Sequence, residues 1–432
     1  MKPIYLIFYI TLLFAYSCKN KTELPSVVSN TKDYNQYLQV ERNEILDAAK
    51  QDYVFWEKKL EKAPNQFPYL AKAAASQSLL FNETGKIEHL INAEKKLVVA
   101  NNAVNYSNSG YLRALAMNYI SQHKFKEALG LLKKAEVNGD RLKSTQKMLF
   151  DVYLELGNTD EAKSYLSKIE NFKDFDFLIR LSKWSDHIGD LDKAIIYLEK
   201  ATEKVEASKN KNLMQWAYTN LADYYGHAGR IEDSYQHYLK ALELNANDAY
   251  AKKGIAWIVY SHEKNADEAL RILNTITKNY DTPDYHLLKA EIAAFKGNTD
   301  LENKEIAQYK EKTADTLYGD MYNAYNVLIF AKNKAEIDKA LQIATKEINN
   351  RPTAQSYDLL AWTHYNNGNI KEALDIVENH VTGYTFEPEV LYHMAEIYKA
   401  NGKLNEAKHL KGELLSSSFE LGPLTIQTVK NI

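Results

Sequence analysis

Residues that could support catalysis are not arranged in any recognisable catalytic motif in this sequence of 432 residues. There is no P-loop, no GxSxG, no HExxH and no glycine-rich dinucleotide loop. Cys18 is the only cysteine, so an intramolecular disulfide framework and a multi-cysteine zinc site are both excluded. Carboxylates are numerous, but their scattered placement is typical of solvated helix faces. We therefore predict that the protein is not an enzyme and needs no cofactor.

Histidine is the other residue type that could bind a metal ion. His187, His227 and His262 follow one another at intervals of 40 and 35 residues, which would suit a metal site along one edge of a repeating structure. None of the three belongs to a pair at i, i+4 spacing, the arrangement that lets one helix supply two ligands. A histidine near a helix C-terminus is also stabilised by the helix dipole. We favour this second interpretation and predict no metal site.

Composition and charge indicate a globular protein that does not bind nucleic acid. Hydrophobic residues make up 45% of the chain and charged residues 26%, which is too apolar for a disordered chain. The net charge is −3, from 54 lysines and arginines against 57 aspartates and glutamates. A broad basic surface, on which non-specific nucleic-acid binding depends, is therefore not expected. Tyrosine is unusually frequent, with 31 residues against 14 phenylalanines.

The elements that would position functional residues follow one helical repeat. Taking Ala222 as an anchor, Leu221 precedes it, Tyr225 lies three residues on, Gly229 seven on and Ser234 twelve on. Small residues at the anchor and twelve residues later let two helices approach closely, and the glycine ends the first helix. The same pattern recurs at five further anchors, which are Ala116, Phe150, Ser182, Ala361 and Ala395.

This pattern resembles the tetratricopeptide repeat. The resemblance implies an all-α, right-handed solenoid of helical hairpins, which stack because one hairpin cannot bury both of its faces. We predict about nine or ten hairpins in residues 33–415, joined by a lone helix around residues 48–60, and a C-terminal capping tail at residues 416–432. The repeat anchored at Ala256 has one extra residue in its turn, within the segment SHEKNADEAL.

The N-terminus resembles a bacterial lipoprotein signal. Lys2 precedes twelve apolar residues, and Ser17 then stands before Cys18. The resemblance, which includes looser signals of the kind found in Bacteroidota, implies a signal peptide at residues 1–17, lipid attachment at Cys18 and a flexible tether at residues 18–32. Lys19 follows the cysteine, so we expect outer-membrane sorting, facing the periplasm or the cell surface. An ordinary signal peptide with an unmodified cysteine is the alternative.

The resemblance also implies where a partner would bind. In the tetratricopeptide repeat family the first helices line a concave groove, and the residues one and four positions after the anchor point into it. Aromatic residues there would supply contact area of the kind found at binding hot spots, although packing between hairpins is the alternative role. These positions are held by Trp257 and Tyr260, by Trp362 and Tyr365, and, at the first position only, by Asp223 and Lys183.

The sequence thus predicts a lipid-anchored, non-catalytic scaffold of the cell envelope that holds a protein or peptide partner in its groove. The alternative is a glycan- or nutrient-capture lipoprotein that partners an outer-membrane importer, because such proteins also resemble stacks of tetratricopeptide-like hairpins. Those proteins usually carry long irregular insertions between hairpins. This chain has none longer than a few residues, which favours the scaffold.

Overall fold

The computed structural model describes residues 26–432, so the predicted signal peptide and Cys18 lie outside the described residues. The described part is built from α-helices, with one π-helical turn at Ile258–His262 and one 3-10 turn at Thr316–Tyr318. None of these helices is both long enough and apolar enough to cross a membrane. The α-helices are α1 Thr31–Leu38, α2 Glu44–Lys62, α3 Phe67–Thr84, α4 Ile87–Ala103, α5 Ser109–Ser121, α6 Phe125–Asn138, α7 Leu142–Glu155, α8 Thr159–Lys168, α9 Phe175–His187, α10 Leu191–Ser208, α11 Lys211–His227, α12 Ile231–Leu244, α13 Ala249–Trp257, α14 Ala266–Ile276, α15 Pro283–Phe295, α16 Thr299–Thr313, α17 Asn323–Ala331, α18 Ile337–Asn350, α19 Ala354–Asn366, α20 Ile370–His380, α21 Pro388–Ala400, α22 Leu404–Ser416 and α23 Ser418–Val429.

Ten helical hairpins, from α3/α4 to α21/α22, form the body of the chain. The two helices of a hairpin approach closely because the residues where they cross are small. Ala128, Ala222 and Ala361, for example, are completely buried. Helix α2 packs against α3 ahead of the first hairpin, at the place of the predicted lone helix. The all-α solenoid of helical hairpins is confirmed.

The turn between α17 and α18 has no residue with positive φ, but in each of the other nine hairpins the turn contains one. Glycine supplies it in most hairpins, as at Gly229 with φ 72°, but His123 and Lys264 adopt φ 59° in two of them. The hairpin whose turn contains Lys264, α13/α14, is the one with the extra residue in its turn. The helix absorbs this residue as the π-helical turn Ile258–His262, a form that often marks functional positions.

The solenoid winds tightly enough for hairpins distant in sequence to meet. Arg351, which follows α18, forms an ion pair with Glu155 at the end of α7, with nitrogen and oxygen 3.3 Å apart. Its guanidinium also lies over the ring of Phe125, 5.3 Å from the centroid. At Gly157 the backbone carbonyl of Pro352 approaches so closely that a Cβ atom would lie 3.1 Å from it. Hairpins two and three are therefore in direct contact with the segment that joins hairpins eight and nine.

The prediction of a flexible tether is wrong for residues 26–32. The backbone amides of Val28 and Ser29 donate hydrogen bonds to the Glu263 carboxylate, at 2.9 and 2.6 Å. Helix α1 begins at Thr31, and Tyr34 on it is 1% exposed against α12 and α14. These residues have no periodic apolar face, and the carboxylate of Glu263, in the turn after the π-helical segment, holds them in place. Local periodicity cannot indicate a contact between residues so far apart in the sequence.

The high tyrosine content has a structural explanation. A buried tyrosine needs a hydrogen-bond partner for its hydroxyl group. Here the hydroxyl groups repeatedly donate to carboxylates on other helices, so each pair links two helices by one hydrogen bond. The pairs are Tyr34 with Glu268, Tyr165 with Glu136, Tyr218 with Glu206, Tyr225 with Glu199, Tyr238 and Tyr250 with Asp223, Tyr260 with Glu291, and Tyr365 with Glu396.

Overpacking one helix crossing should destabilise the array locally. Ala128→Leu or Ala194→Leu places a larger side chain where none fits, at a cost of about 1–3 kcal/mol. Because each repeat contacts mainly its neighbours, hydrogen exchange should increase in that hairpin and the adjacent ones. Gly130→Leu on α6 is the control, since its Cβ would meet no atom within 4 Å. A uniform loss of protection along the chain would contradict the account.

Candidate ligand-binding groove and the C-terminal helix

The first helices of the hairpins line one side of the solenoid. They contact the first helices of the next hairpin directly, as α7 does with α9, α11 with α13, α17 with α19, and α19 with α21. Second helices pack mainly on the first helix of their own and of the following hairpin. Because elements lie closer together on the inner side of a curved layer, the first helices form the concave wall. We call this wall the groove.

Helix α23 lies in the groove. In addition to α22, it contacts α11, α15, α21 and the π-helical turn Ile258–His262. It therefore runs from the last hairpin to hairpins five, six and seven. The predicted capping tail packs on the last hairpin, where Val429 is completely buried, but it also occupies part of the predicted binding surface.

The contact between α23 and the groove centres on one backbone carbonyl. In a regular helix the carbonyl of Phe419 would accept a hydrogen bond from the amide four residues on, but that residue is Pro423, which has no N–H. The Phe419 oxygen instead accepts from Trp257 Nε1 at 3.1 Å and from Ser261 Oγ at 2.5 Å. Gly422, with φ 72° and ψ 163°, makes the break in α23. Groove side chains thus replace the missing helical donor.

A buried carboxyl group lies beneath this break. The hydroxyl of Tyr260 donates a hydrogen bond to Glu291 Oε1, which is 3.1 Å away. Burial raises the pKa of Glu291 to about 7. A Cβ atom on Gly422 would lie 2.9 Å from the same oxygen and 3.0 Å from the Trp257 ring, so only glycine fits here. The stability of this contact should therefore depend on the protonation of Glu291.

The expectation that the groove aromatics are exposed is wrong for Tyr260 and Trp362. Tyr260 is completely buried, and Trp362 is 9% exposed. The Trp362 ring stacks between Tyr365 and His393, with centroid separations of 4.9 and 4.0 Å. Tyr365 and Trp257 are partly buried. Residues at these positions face the first helix of the next hairpin, which packs against them, and α23 covers the first pair as well.

Asp223 and Lys183 lie among charged and tyrosine side chains of the groove wall. Asp223 accepts hydrogen bonds from the hydroxyl groups of Tyr238 and Tyr250, the latter at 2.7 Å. Burial raises the pKa of Asp223, while these two hydrogen bonds favour its ionised form. Lys183 Nζ lies 2.9 Å from Glu155 Oε1, in the ion-pair cluster that includes Arg351. Both predicted residues thus have partners within the chain.

The three repeating histidines do not converge. His187 packs against Trp184, with ring centroids 5.7 Å apart. His227 Nδ1 lies 3.9 Å from Glu420 on α23, and His262 lies 3.4 Å from Ser26 Oγ. Within residues 26–432 no group of three or more histidine, cysteine, aspartate or glutamate side chains is placed to hold a metal ion.

Two exposed aromatic residues of the groove were missed from the sequence. Tyr250 on α13 and Tyr325 on α17 are 47% and 46% exposed. Tyr250 lies six residues before the anchor Ala256, so the spacing of one and four residues after the anchor does not select it. Tyr325 lies in hairpin eight, which contains none of the repeat anchors. The sequence offers one weak indication of such residues, which is that many tyrosines lie outside the positions of the repeat pattern.

Carboxylates outnumber cations where α23 meets α11 and α21. Burial raises the pKa values of Asp186, Glu387 and Glu420, and their mutual repulsion raises the last two further. Interaction with His227 lowers the pKa values of all three carboxyl groups and so acts against these effects. The groove therefore has an excess of negative charge at this point.

Comparison with family models identifies the repeat. Residues 217–248 and residues 353–379 each match a model of the tetratricopeptide repeat, and they correspond to hairpins α11/α12 and α19/α20. The chain thus contains tetratricopeptide repeats, as the resemblance in its sequence predicted. No curated protein sequence matches this chain.

Solved structures of other repeat proteins are similar at low identity. YrrB, described as a tetratricopeptide protein with an unusual peptide-binding site, is 19% identical over 45% of this chain and 95% of its own, with a TM-score of 0.28. A tetratricopeptide repeat protein from Parabacteroides merdae is 17% identical over 60% of this chain and 97% of its own, with a TM-score of 0.34. A monomeric mutant of IFIT1 with Gppp-AAAA is 13% identical over 76% of this chain and 75% of its own, with a TM-score of 0.46. No functional assignment follows from likeness at this level.

Replacing the glycine at the break should release α23 from the groove. Gly422→Ala adds a Cβ atom against Glu291 and Trp257 and forces a non-glycine residue into a conformation that costs about 1–3 kcal/mol. Hydrogen exchange of residues 424–429 should become faster, while hairpins one to four stay protected. Gly412→Ala on α22, where a Cβ meets no atom within 4 Å, should leave exchange unchanged or slower. Equal hydrogen-exchange rates of residues 424–429 in both variants would contradict the claim that only glycine fits at position 422.

The buried carboxyl group should make stability depend on pH. The pKa of Glu291 rises from 4.5 to about 7 on folding, so this residue favours the folded chain below pH 4.5 and loses that contribution as the pH rises through 7. Glu291→Gln removes the titration and keeps the shape. Relative to the wild type, the variant should therefore become more stable as the pH is raised from 5.5 to 8. Urea unfolding measures this difference, and a difference that does not change with pH would contradict it.

Proposed function

We propose that this protein is a non-catalytic scaffold that holds a peptide segment of a partner protein in its groove. One observation carries the proposal: the groove already holds a peptide segment, from its own C-terminus. Trp257 and Ser261 both donate hydrogen bonds from their side chains to the backbone carbonyl of Phe419. Hydrogen bonds to backbone groups recognise a peptide whatever its side chains are, so a partner segment could be held in the same way.

The groove is only partly filled by α23, which leaves room for a partner. Tyr250 and Tyr325 remain nearly half exposed on α13 and α17. Tyrosine supplies a large contact area at low cost in conformational entropy and is enriched at binding hot spots. A partner that needs the whole groove would have to displace α23.

Site-specific photocrosslinking tests this function. Benzoylphenylalanine placed at Tyr250 should form adducts with a protein partner in cells, because the side chain projects from the groove wall. The same probe at Ile196, which is 45% exposed on the second helix α10, is the control for non-specific capture. Adducts of the same mass and yield at both positions, or none at Tyr250, would contradict a groove-binding scaffold. Capture of glycan by the purified chain in place of protein would favour the importer-associated alternative.

The proposal includes a lipid anchor at Cys18 in the bacterial outer membrane, and the signal-like N-terminal sequence supports it. A palmitate analogue should label the wild-type protein and not Cys18→Ser. The labelled protein should fractionate with the outer membrane. An unlabelled wild-type protein found only in the soluble periplasm would contradict this part of the proposal and leave the groove function to be judged separately.

A further inference from the structure

A cavity of about 360 Å³ opens from the groove between hairpins eight, nine and ten, at a place that α23 does not fill. Its walls come from α17 and the residues just before it, from α18, α19 and α21 and the segment that joins α18 to α19, and from His123 of hairpin two. Trp257, Tyr260, Ser261 and Phe419 are not among its lining residues. The cavity therefore does not include the side chains that bind the Phe419 carbonyl.

A buried carboxylate in the wall of this cavity lacks a partner for one of its oxygens. Asp358 is 2% exposed, and its Oδ2 atom lies 2.7 Å from His393 Nδ1. Its Oδ1 atom is buried and has no hydrogen-bond partner among the described residues. A buried acceptor without a donor is costly, so a ligand that supplies a donor here would be favoured. The Trp362 ring stacks on His393 and fixes its orientation.

The other charges in the wall leave an excess of negative charge. Glu347 is paired with Arg351 at 2.7 Å, and Asp320 is paired with Lys346. Glu387 and Glu389 also line the cavity, and neither forms an ion pair with any described residue. Asp358 is compensated by His393, whose imidazolium form it stabilises. Glu387 and Glu389 therefore line the cavity without an ion-pair partner among the described residues, next to the buried Asp358 carboxylate with its unpaired Oδ1 atom.

The remaining walls of the cavity are apolar, so a ligand that fills it needs an apolar part as well as a charged group. Met321, Ala324, Leu328, Leu359 and Val390 line the same space. A bare metal ion would gain nothing from such walls, and within residues 26–432 no group of three or more histidine, cysteine, aspartate or glutamate side chains is placed to hold one. A cation carried on an alkyl chain would satisfy both parts of the lining, because its stem can pack against apolar side chains while its charged end reaches the carboxylates.

We propose that this cavity binds a primary ammonium or guanidinium group on a short alkyl chain, with the charged end against Asp358, Glu387 and Glu389. The group can come from a lysine or arginine side chain of a partner peptide, in which case this inference rests on the proposed scaffold function, or from a free amine. Both sources present the same chemistry to the cavity.

Calorimetric titration of the full chain tests the cation site. The probes are Nα-acetyl-lysine methylamide, which keeps its ε-ammonium group, and agmatine. The uncharged control is the same lysine compound with an additional acetyl group on Nε. Glu389→Gln and Asp358→Asn should each weaken binding about tenfold or more, since each removes a charge that faces the ligand. Glu372→Gln on the exposed side of α20 is the matched variant and should bind as the wild type does. Unchanged melting temperatures establish that the variants fold.

The source of the cation is distinguished by a second titration. A pentapeptide with one central lysine that binds at least about tenfold more tightly than acetyl-lysine methylamide indicates a partner side chain, and equal affinity indicates a free amine. Both outcomes support the cation site. No binding of any probe, equal binding of the acetylated control, or equal weakening by Glu372→Gln would overturn it. Crosslinking at Tyr250, which lies outside the cavity, can fail while the probes still bind, so the two proposals are judged independently.

Discussion

The position of the C-terminal helix depends on one backbone carbonyl that has lost its helical partner. Pro423 cannot donate to the Phe419 oxygen, and an unpaired buried carbonyl would be costly. Trp257 and Ser261 supply the two donors, and they do so from the hairpin that contains the π-helical turn. The hairpin with the extra residue thus supplies the donors, and the proline in the tail leaves the acceptor free. The resulting contact places a segment of the chain in its own groove.

This contact divides the groove into two parts with different chemistry. The part beneath α23 is aromatic and contains Glu291, a carboxyl group with a pKa near 7. The part between hairpins eight and ten is open, and its carboxylates exceed its cations. A partner could therefore bind the open part without moving α23, whereas access to Trp257 would require its release. The C-terminal helix would in this way restrict which ligands the scaffold accepts.

Sequence periodicity predicted the helical hairpins because each one depends on contacts within about 30 residues. Small residues such as Ala128 and a turn residue with positive φ recur at fixed spacing, and both are visible in the sequence. The contacts that shape the groove join distant segments instead. Nothing local to Tyr260 indicates that α23 covers it, and nothing local to residues 26–30 indicates that Glu263 binds their amides. The family positions do not indicate which residues of the groove wall stay exposed, because that depends on contacts with the next hairpin and with α23.

The most direct test of the groove contact is the exchange rate of the Trp257 indole proton in the full chain. Nuclear magnetic resonance resolves the indole signals, and single Trp→Phe substitutions assign them. If Trp257 Nε1 donates to the Phe419 carbonyl, its proton should exchange at least about tenfold more slowly than that of Trp216, which is 41% exposed on α11. Equal exchange rates would mean that the indole is free in solution, and the C-terminal helix would then not be held in the groove.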